Sequence, residues 1–207
     1  MLARKRTTTA PRRLPRSQLG TATVEAILSA VEQILERDGL DRLTTNHIAE
    51  LAGVSIGSLY QYFPNKESLI GALQDRYAED TLARVRAALE ANVDQPIRTV
   101  IARIGEAVLE AQRNQRPIHR ALIDARTAAG VWERYRGWMD QHVDLIAEFL
   151  AKRDDIEVAD VRTAAFVVVH AAEGLIEAAT ERPEVNMMQI ALDGVEMVAR
   201  FVERRAK

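Results

Sequence analysis

Apolar residues recur at spacings of three and four along almost the whole chain, and no segment alternates at a spacing of two for long enough to predict a strand. Spacings of three and four place apolar side chains on one face of an α-helix. The 207 residues are 47% hydrophobic, which is enough for such helices to bury a core. The sequence therefore predicts an all-α protein of about nine helices with short connections.

Glycine, proline and capping residues predict where these helices begin and end. Gly39 can end the first helix, Pro64 stops the third, and Asn65 can cap the long helix that follows it. Proline suits a first helical turn, so we expect a shorter helix to start near Pro117. The predicted helices lie around residues 22–38, 45–52, 56–62, 66–91, 97–108, from 117, 132–150, 157–181 and 186–204.

Basic residues are concentrated at the N-terminus, although the net charge of the chain is only -2. Six basic residues precede the first acidic residue, Glu25. They are Arg4, Lys5, Arg6, Arg12, Arg13 and Arg16. A basic arm on an acidic body favours a polyanion bound at one end. A tail that only aids solubility is an equal alternative on composition alone.

Cysteine is absent, which excludes disulfides and thiolate metal sites and fits a reducing compartment. The longest nearly continuous apolar run, residues 164–172, is too short to cross a bilayer. We therefore expect a cytoplasmic protein without a membrane segment.

The spacing within residues 45–63 predicts a helix-turn-helix. Ala49 is small enough for two helices to cross closely, and Gly53, four residues later, can take the positive φ of a three-residue turn. Ser55 is placed to cap the second helix, while Leu59 and Phe63 can anchor its inner side. The outward face keeps Gly57, Ser58, Tyr60, Gln61 and Tyr62.

Small residues at a helix N-terminus, followed by polar aromatic residues, are what close approach to a major groove requires. Lys66 adds a cation next to this face. A plain helical hairpin whose hydroxyl groups face water is the alternative that the spacing leaves open.

The same stretch resembles the TetR-type (TetR/AcrR) transcriptional regulators over roughly residues 22–72. The matching positions are Thr45, Ile48-Ala49, Ala52-Gly53-Val54-Ser55, Gly57-Ser58, Leu59-Tyr60, Tyr62-Phe63, Lys66-Glu67 and Leu69. The resemblance implies a small-molecule-responsive repressor of a palindromic operator on double-stranded DNA, bacterial-type and nucleoid-associated.

The resemblance also implies DNA-contacting residues. Those expected to hold phosphates are Thr45, Ser55, Tyr60, Tyr62 and Lys66. Those expected near base edges are Asn46, Ile56, Gly57 and Ser58. Arg12, Arg13 and Arg16 of the arm are expected to enter a neighbouring minor groove.

Three functional parts follow: a flexible basic arm over residues 1–20, a helix-turn-helix DNA-binding domain over 21–66, and a ligand-binding and dimerisation domain over 67–207. The helices around 157–181 and 186–204 resemble the pair that forms a twofold four-helix bundle in this family. Packing within their own chain is the alternative.

The predicted pocket for a hydrophobic or aromatic effector comprises Ile104, Val108, Trp132, Tyr135, Trp138, Met139, His142, Phe166 and His170. Ordinary core packing is the alternative for each of these residues.

Two other classes of protein remain as alternatives. His170 and Glu173 lie three apart on one predicted helix, as in a helical-bundle metalloenzyme, but a diiron bundle needs further paired ligands. A helical adaptor that binds proteins would have no affinity for DNA. We expect no enzymatic activity, no cofactor and no metal, since the sequence contains no phosphate loop or serine nucleophile elbow.

Overall fold

The computed structural model describes residues 18–125, 131–182 and 184–203, with side chains for 20–111, 132–182 and 184–203. Eight α-helices and one 3-10 helix, Leu40–Arg42, lie within this part of the chain. The α-helices are α1 Gln18–Asp38, α2 Thr45–Leu51, α3 Ile56–Tyr62, α4 Lys66–Ala91, α5 Ile97–Ala125, α6 Val131–Leu150, α7 Val161–Glu181 and α8 Met187–Val202. An isolated bridge between Ile156 and Glu203 is the extent of β-structure in these ranges. The all-α prediction is confirmed.

Local capping groups explain most of the helix limits. Gly39 follows α1 with a φ of 75°, and its N–H bonds the carbonyl oxygens of Ile34 and Leu35 at 3.1 and 3.2 Å. Before α4, the side-chain oxygen of Asn65 accepts a 2.8 Å bond from the N–H of Ser68. The predicted stop at Gly39 and cap at Asn65 are confirmed.

Two predicted helix starts are wrong. Helix α5 continues through Pro117, because a proline removes one backbone donor and a 29-residue helix retains its other hydrogen bonds. Helix α7 begins at Val161 instead of 157, since the N–H of Glu157 bonds the carbonyl of Val202 at 2.9 Å. The Asp160 side chain caps α7 by accepting a 2.7 Å bond from Thr163 N–H.

The chain forms two compact units, each with its own core. Among the described residues, one unit contains those up to Tyr77 and those within 117–135, and the other contains Ala78–Arg116 and those from Arg136 onward. The first core includes the fully buried Ile27, Leu59 and Leu73. The second core joins residues of α4, α5, α6, α7 and α8. The functional division at residues 20 and 66 stays a prediction.

Helix α7 is long and apolar enough, by length and composition alone, to cross a membrane, and 22% of its most apolar stretch is buried. A helix that packs against a protein partner has the same composition, so a single helix of this kind is weak support for a membrane segment.

Candidate nucleic-acid interface

A tight turn joins α2 to α3. Gly53 adopts a φ of 66°, a conformation that residues with a Cβ rarely take. The N–H of Val54 bonds the carbonyl of Ala49 at 3.0 Å, and Ala49 is only 3% exposed. Ala49 is therefore buried, and Gly53 has the positive φ of the turn, as their spacing predicted.

The Ser55 side chain caps α3. Its Oγ accepts a 3.0 Å bond from the N–H of Ser58 and lies 2.9 Å from the Ser58 hydroxyl oxygen. Capping by one serine leaves the hydroxyl groups of both serines at the first turn of the helix. This end of α3 therefore combines two hydroxyl groups with the positive end of a helix dipole, although a seven-residue helix has only a weak dipole.

The inner side of α3 is anchored in the first core. Leu59 and Phe63 are 0% and 1% exposed, as their four-residue spacing predicted. They pack in the same cluster as Ile27, Ile34 and Ile48 from α1 and α2. Because the inner side is fixed, the opposite face of α3 has a fixed orientation.

That opposite face is open to solvent. Ile56 and Tyr60 are 42% and 43% exposed, and Gly57 leaves free space, since a Cβ there would meet only the Ser55 hydroxyl at 3.8 Å. The Tyr60 hydroxyl donates a 3.5 Å hydrogen bond to the Thr45 hydroxyl of α2. Exposed Asn46 follows Thr45 on α2. The structure thus brings most of the predicted DNA-contacting residues to α3 and the adjoining start of α2.

Two predicted residues are placed differently. Tyr62 is half-buried and packs against the first core instead of facing outward. The Lys66 ammonium donates a 2.8 Å bond to the carbonyl oxygen of Leu40 in the 3-10 helix. An ammonium has three donors, so this bond fixes the Lys66 side chain without using all of its hydrogens. Arg12, Arg13 and Arg16 lie outside the described residues.

Ion pairs connect α4 to α1 behind this motif. The Arg76 guanidinium bonds the carboxylates of Glu25 and Glu32, the latter at 3.0 Å. The Tyr77 hydroxyl also donates to Glu32 at 2.8 Å, and burial together with this carboxylate raises the pKa of Tyr77 above its usual range. The first part of α4 is therefore held to α1 by charged hydrogen bonds.

One cavity within the described residues contains two of the nine residues predicted for the effector pocket. An apolar cavity of about 140 Å³ lies among α5, α7, α8 and the end of α6, within the second unit, and Ile104 and Val108 line it. The other seven predicted residues do not.

Those seven residues lie elsewhere. Helical spacing predicts which face of its own helix a residue lies on, but it does not predict which other helix packs against that face. Trp132 stacks on Tyr135 with ring centroids 5.5 Å apart and is 49% exposed. Met139 is buried, and Nδ1 of the half-buried His142 lies 2.8 Å from the carbonyl oxygen of half-buried Trp138. Phe166 and His170 stack on each other with centroids 3.9 Å apart on the exposed side of α7.

Small residues around the cavity are the ones that the sequence reasoning missed. A Cβ added to Gly105 would lie 2.6 Å from Cγ2 of Val195, and one added to Gly194 would lie 3.1 Å from Cδ1 of Leu175. The two glycines therefore let α8 approach α5 and α7 closely. The sequence does show these residues as glycine or alanine inside apolar helices. They are Gly105, Gly194 and Ala172.

Helices α7 and α8 expose large apolar side chains over their lengths. These are Phe166 at 51%, Val167 at 43%, Met188 at 45%, Leu192 at 57%, Met197 at 48% and Phe201 at 46%. Several large exposed apolar side chains on two neighbouring helices are typical of an interface. No group of three His, Asp or Glu side chains suited to a metal ion occurs among the residues that the structure describes.

Two families of domain match this chain. The family described as "Bacterial regulatory proteins, tetR family" matches residues 27–73, and the "Tetracyclin repressor-like, C-terminal domain" matches residues 96–202. Among curated relatives, an uncharacterised HTH-type transcriptional regulator of Haemophilus influenzae is 32% identical over 78 residues, which are 38% of this chain and 40% of the relative. The nucleoid occlusion factor SlmA of a Marinomonas species is 33% identical over 122 residues, 58% of this chain and 59% of SlmA. The matched regions thus span less than two thirds of these relatives.

Solved structures share the fold over more of the chain. SmeT of Stenotrophomonas maltophilia, in complex with triclosan, has a TM-score of 0.73 at 20% identity, with 89% of this chain and 93% of SmeT covered. A transcriptional regulator from Streptomyces coelicolor has a TM-score of 0.59 at 26% identity, with 86% and 96% covered. At 20% identity, the likeness to SmeT shows the fold alone.

Proposed function

Because the chain belongs to the TetR family of bacterial regulatory proteins, we propose that it is a sequence-specific transcriptional repressor that binds a palindromic operator and is released by a small molecule. It combines the N-terminal and C-terminal domains of that family in one chain. A regulator of this kind acts through binding equilibria and needs no catalytic group, which fits a family of transcription regulators.

One observation carries the DNA-binding proposal: the inner side of α3 is sealed by Leu59 and Phe63 while Tyr60 and Ile56 of the same helix are exposed. A helix held this rigidly can enter a major groove with little loss of conformational entropy. Thr45, Ser55, Tyr60, Tyr62 and Lys66 would hold phosphates in this arrangement. Asn46, Ile56, Gly57 and Ser58 would approach base edges, with Ile56 suited to a thymine methyl group.

Polar contacts within the motif support these roles. The bond from Tyr60 to Thr45 connects two proposed phosphate ligands across α2 and α3. The bond from Lys66 to Leu40 holds the ammonium at the start of α4. Tyr62 has the least support among these residues, because it is half-buried and packs against the first core.

A homodimer through α7 and α8 would cover the exposed apolar side chains of these two helices. Two copies would then bind two half-sites about 34–36 Å apart, or a multiple of that distance. Such a dimer suits a soluble protein that acts in the cytoplasm on the nucleoid.

The effector would be a hydrophobic or aromatic small molecule in the cavity among α5, α7 and α8. SmeT, which shares the fold, forms a complex with triclosan and represses a multidrug efflux pump. Helix α4 runs from the first unit into the second, so it would transmit a change at the cavity to the DNA-binding motif. A coupling free energy of about 1–3 kcal/mol is typical between such sites.

Selection from random duplex DNA, followed by affinity measurement on the selected operator, tests the proposal. We expect a palindrome. Tyr60→Phe should weaken operator binding about thirtyfold, because losing about 1 kcal/mol of hydrogen bonding in each subunit counts twice in a dimer. Tyr60→Ala should weaken it more and leave the dimer intact.

Leu51→Ala is the matched control, since Leu51 is 40% exposed at the end of α2 and has no role in the proposed interface. Its affinity should stay within about twofold of the wild type, which corresponds to about 0.4 kcal/mol. The proposal fails if no sequence is enriched, or if Tyr60→Ala unfolds the protein instead of weakening DNA binding.

The two alternative classes have less support. In the metalloenzyme alternative, His170 would bind a metal ion, but its ring stacks on Phe166 and its Nδ1 lies 2.9 Å from the Phe166 carbonyl oxygen. The protein-binding adaptor would show no salt-dependent affinity for DNA. Metal analysis and the salt dependence of DNA binding separate these alternatives from a repressor.

A further inference from the structure

We propose that the cavity among α5, α7 and α8 selects an uncharged hydrocarbon-like molecule of about the volume of one benzene ring. This inference rests on the proposed function, because it concerns the effector of the same regulator. A site lined mainly by aliphatic side chains, together with glycines, two methionines and Phe149, takes the place of the aromatic stripe predicted on α6.

The chemistry of the lining sets the charge of the ligand. Every residue around the cavity is apolar or glycine, with aliphatic side chains such as Ile104, Val108 and Val195. A carboxylate or ammonium placed there would lose its hydration without gaining a partner, which costs many times the free energy of a hydrogen bond. The cavity therefore excludes ions and gives no directional hydrogen bond that would favour a polar ligand.

The volume sets the size of the ligand. The cavity measures about 140 Å³, and an engineered apolar cavity of about 150 Å³ in another protein holds benzene. Gly105 and Gly194 keep the cavity this small, because they let α8 come close to α5 and α7. A molecule with two rings exceeds this volume.

Two methionines provide limited adaptability. Met187 and Met197 line the cavity, and Met197 is also 48% exposed in the single chain. Flexible thioether side chains can rearrange around a ring that carries one or two extra methyl groups. Substituted single rings are therefore the upper limit of the predicted ligand class.

The experiment compares toluene with benzoate, which share a ring and differ in charge, on the full-length protein. We expect toluene to raise the unfolding midpoint by about 3–6 °C at about ten times its Kd. Benzoate should bind at least a hundredfold more weakly by calorimetry. Equal affinity for the two probes, or stronger binding of benzoate, would overturn the inference.

A space-filling variant tests the location. Ala172→Leu adds methyl groups to the cavity lining and should weaken toluene binding at least tenfold. Ala87→Leu makes the same change at an exposed position of α4 outside the cavity and should leave toluene affinity unchanged. If Ala172→Leu fails to fold, Ala191→Val on α8 makes a smaller addition to the same lining. Unchanged toluene affinity in a folded lining variant would place the ligand elsewhere.

Operator binding without any probe separates this inference from the proposed function. A protein that binds its operator but not toluene keeps the DNA-binding function and loses the ligand assignment. Failure to bind any operator, with toluene bound as expected, would remove the regulator and keep the chemistry of the cavity.

Discussion

Arg153 connects two loops of the second unit through a dense set of hydrogen bonds. Its guanidinium donates to the carbonyl oxygens of Val93 and Gln95 at 2.7 and 2.8 Å, and to both carboxylate oxygens of Asp155 at 2.8 and 2.6 Å. Asp155 also accepts a 2.7 Å bond from the N–H of Ile97 at the start of α5. The two side chains thus join the α4–α5 and α6–α7 connections.

Acid should weaken this connection. The Arg153 guanidinium and the Ile97 N–H hold the pKa of Asp155 below its usual range, so the carboxylate stabilises the fold above about pH 4 and this contribution is lost as the pH falls through the lowered value. Asp155→Asn should cost about 1 kcal/mol at pH 6, since the side chain is 33% exposed and water weakens the pair. Urea unfolding at pH 6 and at pH 3 measures this, and the deficit of the variant should shrink at pH 3.

The matched control is Asp154→Asn, because Asp154 is the exposed neighbour of Asp155 on the same loop. Its free energy of unfolding should follow that of the wild type at both values of pH. A constant deficit for Asp155→Asn at both pH values would mean that the ion pair contributes nothing and only the hydrogen-bond geometry has changed.

Single residues were predictable from the sequence where their role is local. Gly53 and Ser55 act through their own turn and helix end, so their spacing was sufficient to predict them. Lys66 donates to Leu40, 26 residues away, and Tyr62 turns toward the first core. No local pattern encodes either contact, because each depends on how α1 and α4 fold against the motif.

At the scale of helices, α7 and α8 should form the dimer interface. Leu192→Glu would place two carboxylates, one from each subunit, in a buried apolar contact and remove two leucines from it. We expect the dimer to weaken by at least about 3 kcal/mol, or more than a hundredfold in Kd. Sedimentation velocity over a range of protein concentrations measures this.

Val93→Glu is the corresponding control. Val93 is 53% exposed, as Leu192 is 57% exposed, but it lies in the α4–α5 connection and not on α7 or α8. The control should sediment like the wild type. If Leu192→Glu also stays dimeric, the apolar surface of α7 and α8 serves another partner.

Helix limits could be predicted more closely than helix neighbours. The limits of α3 and α4 are those expected from Ser55 and Asn65, because caps act within a few residues. The aromatic stripe from Trp132 to His142 was assigned to a pocket, but periodicity cannot say which helix faces it. The cavity formed instead near Gly105, where small residues let helices approach.

At the scale of the whole molecule, the distribution of charge favours binding of DNA by one end of the chain. The six basic residues of the arm precede Glu25, so the remainder of the chain is clearly acidic. An acidic body repels DNA while a basic N-terminus attracts it, which orients the approach of the protein. Under the proposed function, the arm would add phosphate contacts to those of α2 and α3.

Deletion of residues 1–16 should make operator binding less dependent on salt. Each phosphate neutralised by the arm contributes about -0.9 to the slope of log affinity against log salt, so losing several such contacts flattens the slope by several units per dimer. Fluorescence anisotropy between about 50 and 200 mM salt measures it. Replacing Arg204, Arg205 and Lys207 by Gln removes three charges from the other end and should leave the slope unchanged. The same slope in the deletion variant and the wild type would mean that Arg12, Arg13 and Arg16 do not contact DNA, whatever the affinity of the motif itself.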